Sequence, residues 1–134
     1  MIDIENDVFD YVAKILRAAH TGIDVQAEYV ELPARFPHVS IVEADNRVLE
    51  RMRTEVIENA ASVMYEINVY SNKASGKKSE AKAIANTVDD AMSEIGFTRT
   101  FREQIPNLND ATIYRIVCRY EAVIDKNFVI YFNE

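Results

Sequence analysis

Ser75-Gly-Lys-Lys-Ser79 comes nearest to chemistry of any stretch in this sequence. Glycine, lysine and hydroxyl side chains in a turn before a helix are the parts of a phosphate-binding loop, where backbone amides and an ammonium meet phosphate oxygens. The fit is incomplete. The upstream glycine is missing, since position 71 is Ser, and the second lysine displaces the Gly-Lys-Ser/Thr order. A solvated helix entry, with weak anion affinity at most, explains these residues more simply. Glu80-Ala-Lys82 has the Glu-x-Lys spacing of a nuclease core. That chemistry needs both side chains on a strand beside an upstream Asp, and here the periodicity predicts a helix. His20 and His38 stand near a helix end and a strand start, with no ligand spacing between them. Asp89, Asp90 and Glu94 fall on the outer face of the same predicted helix and read as its solvated side. Asp3, Glu5 and Asp7 have metal-binding side chains, but in a first helical turn compensation of the helix dipole accounts for them. Cys118 is the single cysteine, so no intrachain disulfide forms. On an apolar strand face it reads as a buried structural thiol rather than a nucleophile. These residues assemble no acid–base pair, nucleophile or metal set. The expectation is a protein without enzymatic activity, cofactor or metal.

The elements that carry these residues follow from periodicity. Ile4, Val8, Tyr11, Val12, Ile15, Leu16 and Ala19 make the apolar stripe of a helix over residues 3–19, with Gly22 as its stop. Short strands are expected at 26–32 and 38–44, joined through Pro33 and Pro37. Residues 46–61 permit a short helix, a strand extension or a long excursion, and such a segment is a candidate partner-contact arm. Val63, Tyr65, Ile67 and Val69 then alternate with Met64, Glu66, Asn68 and Tyr70, which makes one apolar strand face. After the polar turn 71–78 the spacing switches to helical, through Ala81, Ile84, Ala85, Val88, Ala91, Met92 and Ile95. Ser75 or Ser79 is positioned to cap this helix, and Gly96 follows its end. Strands are expected at 97–104, 112–124 and 128–132, the last two forming a hairpin through Asp125-Lys-Asn127.

In the long strand Tyr114, Ile116, Cys118, Tyr120, Ala122 and Ile124 share a core face. Arg115, Val117, Arg119, Glu121 and Val123 share the other. The pattern predicts one two-layer α+β domain over residues 1–134: a mainly antiparallel or mixed sheet with two amphipathic helices packed on one face. Its other face is left for solvent or neighbouring subunits.

Composition narrows the partners. The length of 134 residues suffices to bury a core without metals or disulfides. No apolar run is long enough to span a bilayer, and the N-terminus is acidic where a signal peptide would be basic. A cytosolic protein, or one in a particle assembled there, is expected. The formal charge is −7, with 9 acidic and 3 basic side chains in residues 1–45 against 5 and 7 in residues 46–82. Such a chain is poorly suited to grip nucleic acid, whose phosphates require a basic surface. It suits a surface that DNA slides past, and equally one that is merely soluble.

Three runs carry a resemblance: Val63-Met-Tyr-Glu-Ile-Asn-Val-Tyr-Ser-Asn-Lys-Ala-Ser-Gly-Lys-Lys-Ser-Glu-Ala-Lys-Ala-Ile84, Gly96-Phe-Thr-Arg-Thr-Phe101 and Ile105-Pro-Asn-Leu-Asn-Asp-Ala-Thr-Ile-Tyr-Arg115. The sequence resembles the tail terminators, or tail-completion proteins, of tailed bacteriophages and prophages, which close the tail and join it to the head. The resemblance spans about residues 63–132, while residues 1–60 match in outline. It implies a structural virion assembly protein that forms a ring, expected to be hexameric, at the head-proximal end of the tail tube. The implied partners are itself, the tail tube protein and the head connector or neck protein. DNA passes through without specific binding, and no membrane is involved. The implied location is the virion tail or neck, assembled in the host cytoplasm.

Other neck and tube-related proteins share the two-layer architecture and remain an alternative within the same class. A phage-encoded nuclease or phosphate-handling enzyme is the alternative from another class. Candidate contact residues are Arg47, Arg51 and Arg53 in the arm, Lys73, Lys77 and Lys78 in the basic turn, and Arg115 and Arg119 on the polar sheet face.

Overall fold

The computed structural model describes residues 3–30, 32–48, 60–106, 110–125 and 130–131, with the backbone alone described at Val48, Ile130 and Tyr131. Helix α1 spans Glu5–Ala19 and buries Val8, Val12, Ala13 and Leu16, a stripe set by the helical repeat. Strands β1 (Asp24–Gln26), β2 (His38–Val48) and β3 (Ala60–Ser71) follow. Helix α2 (Lys77–Glu94) comes next, then β4 (Thr98–Gln104), β5 (Tyr114–Asp125) and β6 (Ile130–Tyr131).

The strands form one mixed sheet in the order β1-β2-β3-β5-β4, with β6 also on β5. The β1–β2 pair is parallel and the others are antiparallel. Because β3 and β4 both pair antiparallel to β5, they run parallel to each other and α2 connects them. The result is a split β-α-β unit with β5 inserted between its strands.

Both helices lie on one sheet face. Helix α1 packs on β1, β2 and α2, and α2 packs on β3, β5 and β4. Between the layers lie Val39 and Ile41 of β2, Val63, Tyr65, Ile67 and Val69 of β3, and Ile116, Cys118, Tyr120, Ala122 and Ile124 of β5. These are the alternate residues of each strand, as a period of two requires. Phe97 is buried just before β4 and meets the Tyr65 ring edge to face, with centroids 5.4 Å apart. The two-layer α+β architecture with two helices on one face is therefore as the sequence predicts.

Four local expectations are corrected. The strand expected over 26–32 ends at Gln26 after three residues. Residues 27–30 and 32–37 instead lie between the parallel strands β1 and β2, and Pro33 and Pro37 among them supply no amide for a ladder. Second, residues 46–48 and 60–61 of the supposed arm are paired strand, Asn46 with Val63, Arg47 with Ser62 and Val48 with Ala61. The remainder of that arm, 49–59, lies outside the described residues. Third, neither Ser75 nor Ser79 caps α2. Gly76 occupies the cap position at φ +85, with no side-chain capping bond, and Ser79 already lies within the helix.

Fourth, the sheet face opposite the helices is not wholly open. His38, Ser40, Asn68, Tyr70 and Val117 are buried on it. The β1–β2 crossover passes over this corner: the Arg115 guanidinium lies over the Tyr29 ring at 5.6 Å, and Pro33 is buried.

Candidate interaction surfaces

Three surface regions gather the charged residues. The first is the polar face beneath the crossover. Alternation along β2, β3 and β5 places His38, Asn68, Tyr70, Arg115 and Arg119 there. Asp24 joins them from β1 through its parallel register with His38. The Asp24 carboxylate accepts from His38 Nδ1 at 3.0 Å, from Gln26 at 2.8 Å and from Arg35 at 3.2 Å. Burial alone would raise its pKa, but the bonds from Gln26 and His38 and the charge of Arg35 outweigh it and hold the carboxyl below its usual range. The Arg115 Nε donates to Asn68 Oδ1 at 2.9 Å, and its guanidinium rests between Tyr29 and Tyr70, 5.6 and 5.9 Å from their centroids. The Arg119 guanidinium lies 4.9 Å over Phe101. Arg115 is thus engaged within the chain, whereas Arg119 stacks on Phe101 with its buried Nε unpartnered among the described residues. The Nε2 of His38 and the Oγ of Ser40 are buried without a hydrogen-bond partner among the described residues.

The second region is a groove between the start of α2 and the sheet edge. Lys78 and Lys82, one turn apart on α2, and Arg102 on β4 line a hollow of about 150 Å³ whose apolar wall is Tyr114 and Ile116. Arg102 donates to Asn86 at 2.9 Å, which fixes its guanidinium across the helix–sheet junction. No carboxylate pairs with Lys78 or Lys82 among the described residues, although Glu103 also lines the hollow. Of the other basic-turn residues, Lys77 donates to the Thr112 carbonyl at 3.0 Å. Lys73 lies apart, beside Phe36, Pro37, Asn72 and Glu80. The turn predicted as one basic patch therefore divides in three. The sequence drew attention to Lys82 only within Glu80-Ala-Lys82, not as a contact residue, and to Arg102 not at all. The i, i+4 spacing of Lys78 and Lys82 on a predicted helix was the available signal for the first. Nothing local marked the second.

The third region is acidic and lies at the other side of the sheet. Glu43 of β2 stands with Asp3 and Glu5 at the start of α1. Burial raises its pKa, bonds from Asn46 and Tyr65 offset this in part, and the charges of Glu5 and Asp3 raise it further. Asp3, two residues before the helix, accepts from the Glu5 amide at 3.1 Å, while Ile4 holds the cap position without a side-chain capping bond. Arg47, one of the three predicted arm contacts, forms an exposed ion pair with Asp45 at 3.0 Å. Arg51 and Arg53 lie outside the described residues.

None of these regions gathers a nucleophile, a base and an orienting group. Among the described residues no group of three His, Cys, Asp or Glu side chains is arranged to hold a metal ion. No helix is long and apolar enough to cross a membrane. Cys118 is fully buried, and burial pushes its thiol pKa up.

The model of the family described as "Tail completion protein gp17" matches residues 13–125. A chain from a solved structure titled "Virion of native gene transfer agent (GTA) particle" is similar with a TM-score of 0.58. The likeness covers 87% of this chain and 92% of that chain at 19% identity, a similarity of fold. No curated protein matches the sequence.

Proposed function

Because the chain belongs to the tail completion protein gp17 family, we propose that it caps the head-proximal end of a phage tail tube as a ring and joins it to the head connector. Family membership makes it a structural protein of the phage tail, and so of the virion. The finer reading is that the ring is hexameric, halts tube polymerisation, and leaves an opening through which DNA passes. The observation that carries it is the family match, which runs from within α1 to the end of β5 and so covers the second half of α1, all of α2 and five of the six described strands.

Such a role needs surfaces rather than a reaction centre. A ring requires a heterologous contact that closes on itself, in which two different patches of one chain meet on neighbouring copies. The chain also has to present separate surfaces to the tube and to the connector. Arg47 and the sequence around Arg51 and Arg53, which connects β2 to β3, are proposed as contacts with the tube or a neighbouring copy.

Tails assembled with and without this protein test the proposal. Negative-stain imaging should show closed rings at one tube end only when the protein is present, and tubes of uncontrolled length without it. A protein that stays monomeric with tubes, and leaves their length and ends unchanged, would overturn it.

A further inference from the structure

We infer that neighbouring copies join through the basic groove of one (Lys78, Lys82 and Arg102) and the acidic edge of the next (Asp3, Glu5 and Glu43). This rests on the ring reading and names the two patches it requires. Both patches lie on the helix side of the sheet. Glu43 shares the face of Val39 and Ile41, and the groove includes the core-face residues Tyr114 and Ile116. They sit toward opposite edges: Glu43 lies on β2 beyond the three residues that β1 covers, under the α1 side, and Arg102 lies on the edge strand β4. Two different patches at opposite edges cannot satisfy each other within one copy. They generate a head-to-tail contact, which is the geometry that closes rings.

Charge identifies the occupant. The groove holds three cations against one carboxylate, and its two lysines have no ion-pair partner among the described residues. The acidic edge carries three carboxylates. Arg47 lies on the opposite face of β2 and pairs with Asp45. The charges of Asp3 and Glu5 act on Glu43, and a cation from a neighbouring copy would offset them. The apolar wall of the groove and the Glu103 carboxylate beside it favour an acidic protein surface over a phosphate backbone.

Backbone pairing between copies is disfavoured at both flanks. The ladder is bulged between Arg99 and Phe101 on β4 and between Glu43 and Asp45 on β2, and bulges with charged side chains are how sheet edges resist pairing. Side-chain charge, not strand addition, then carries the contact.

Two charge-reversal variants test this by sedimentation and native mass spectrometry, alone and on tail tubes assembled in the protein's absence. K78E/K82E and D3K/E5K should each fold, as judged by circular dichroism, and each should lose ring formation. An equimolar mixture should regain rings, because each reversed patch then meets a reversed partner and each native patch a native one. Should D3K/E5K fail to fold, E5K alone, which keeps the Asp3 carboxylate and its bond to the residue-5 amide, takes its place. Rings formed by either folded variant alone, or a folded mixture that forms none, would overturn this inference and leave the ring reading standing. A wild-type chain that never assembles, in solution or on tubes, would overturn both. If the wild type binds duplex DNA, K78E/K82E abolishes that binding and rings persist, the groove belongs to nucleic acid and the inference fails.

Discussion

Cys118 and Glu43 show how individual side chains reveal their surroundings. Cys118 lies between Ile116 and Tyr120 on the core face, fully buried, with a thiol pKa raised by burial. Its replacement by Ser puts a hydroxyl where a weakly polar sulfur sat, and an unpaired buried hydroxyl costs about 1–3 kcal/mol. Cys118→Ser should lower the unfolding midpoint while leaving assembly of the folded fraction intact. The wild-type thiol should react with a labelling reagent only on the timescale of unfolding, and rapid labelling would contradict its placement. Glu43 behaves differently. Its pKa is raised chiefly by burial and further by Glu5 and Asp3, so the folded state binds the proton more tightly than the unfolded state does. Ionised Glu43 therefore costs stability above its folded pKa, and the cost fades as pH falls below it. Glu43→Gln keeps an acceptor for Asn46 and Tyr65, and it should be more stable than wild type at pH 7. The gain should be less than about 1 kcal/mol, since solvent screens a partly exposed charge. Thermal unfolding across pH should show the gap closing on acidification, and a gap that widens would refute this account.

At the scale of elements, the entry to α2 matters most, because it aims Lys78 and Lys82 into the groove. Gly76 caps the helix at φ +85 with nothing within 4 Å of where a Cβ would stand. Strain there is conformational rather than steric. Gly76→Ala should cost about 1–2 kcal/mol, while Gly76→Asn, which tolerates the left-handed region better, should cost less. Denaturant melts of the two variants decide this, and equal stability of Ala and Gly at this position would refute it. The same turn marks the limit of what the sequence made legible. The switch from a period of two to a helical period located β3 and α2, because the residues each packs into the core between the layers recur at fixed intervals. The cap escaped, since two serines and a glycine lie within five residues and only backbone geometry chooses among them. The β1–β2 crossover escaped as well, and with it the burial of Val117 and the engagement of Arg115. Alternation in β5 told which face Arg115 occupies, but no local pattern tells that a loop 86 residues earlier in the chain brings Tyr29 to cover it. The groove was half legible for the same reason: Lys78 and Lys82 share a helix, whereas Arg102 reaches them through tertiary packing.

For the whole molecule, charge is divided along the strand direction as well as between the edges. Helices α1 and α2 run antiparallel, since Tyr11 donates to Glu94 at 2.7 Å while His20 meets Thr87 at 2.9 Å. The acidic start of α1 and the acidic end of α2, with Asp89, Asp90 and Glu94, therefore share one end of the molecule. Lys77, Lys78 and Lys82 stand toward the other. DNA passing through the proposed ring would meet a chain of net charge −7 whose basic groove holds three cations. Counterion release from so few phosphate contacts gives weak attraction, and the net charge opposes it. Filter binding of duplex DNA at physiological salt should accordingly give no complex tighter than about 1 µM, the strong end of ordinary nonspecific binding. Lowering the salt should strengthen any residual binding only slightly, in keeping with the few cations available. A tight complex with steep salt dependence would show that the protein grips the DNA it is proposed to let pass. It would also return the Lys78–Lys82 groove to the phosphate chemistry that Ser75-Gly-Lys-Lys-Ser79 first suggests.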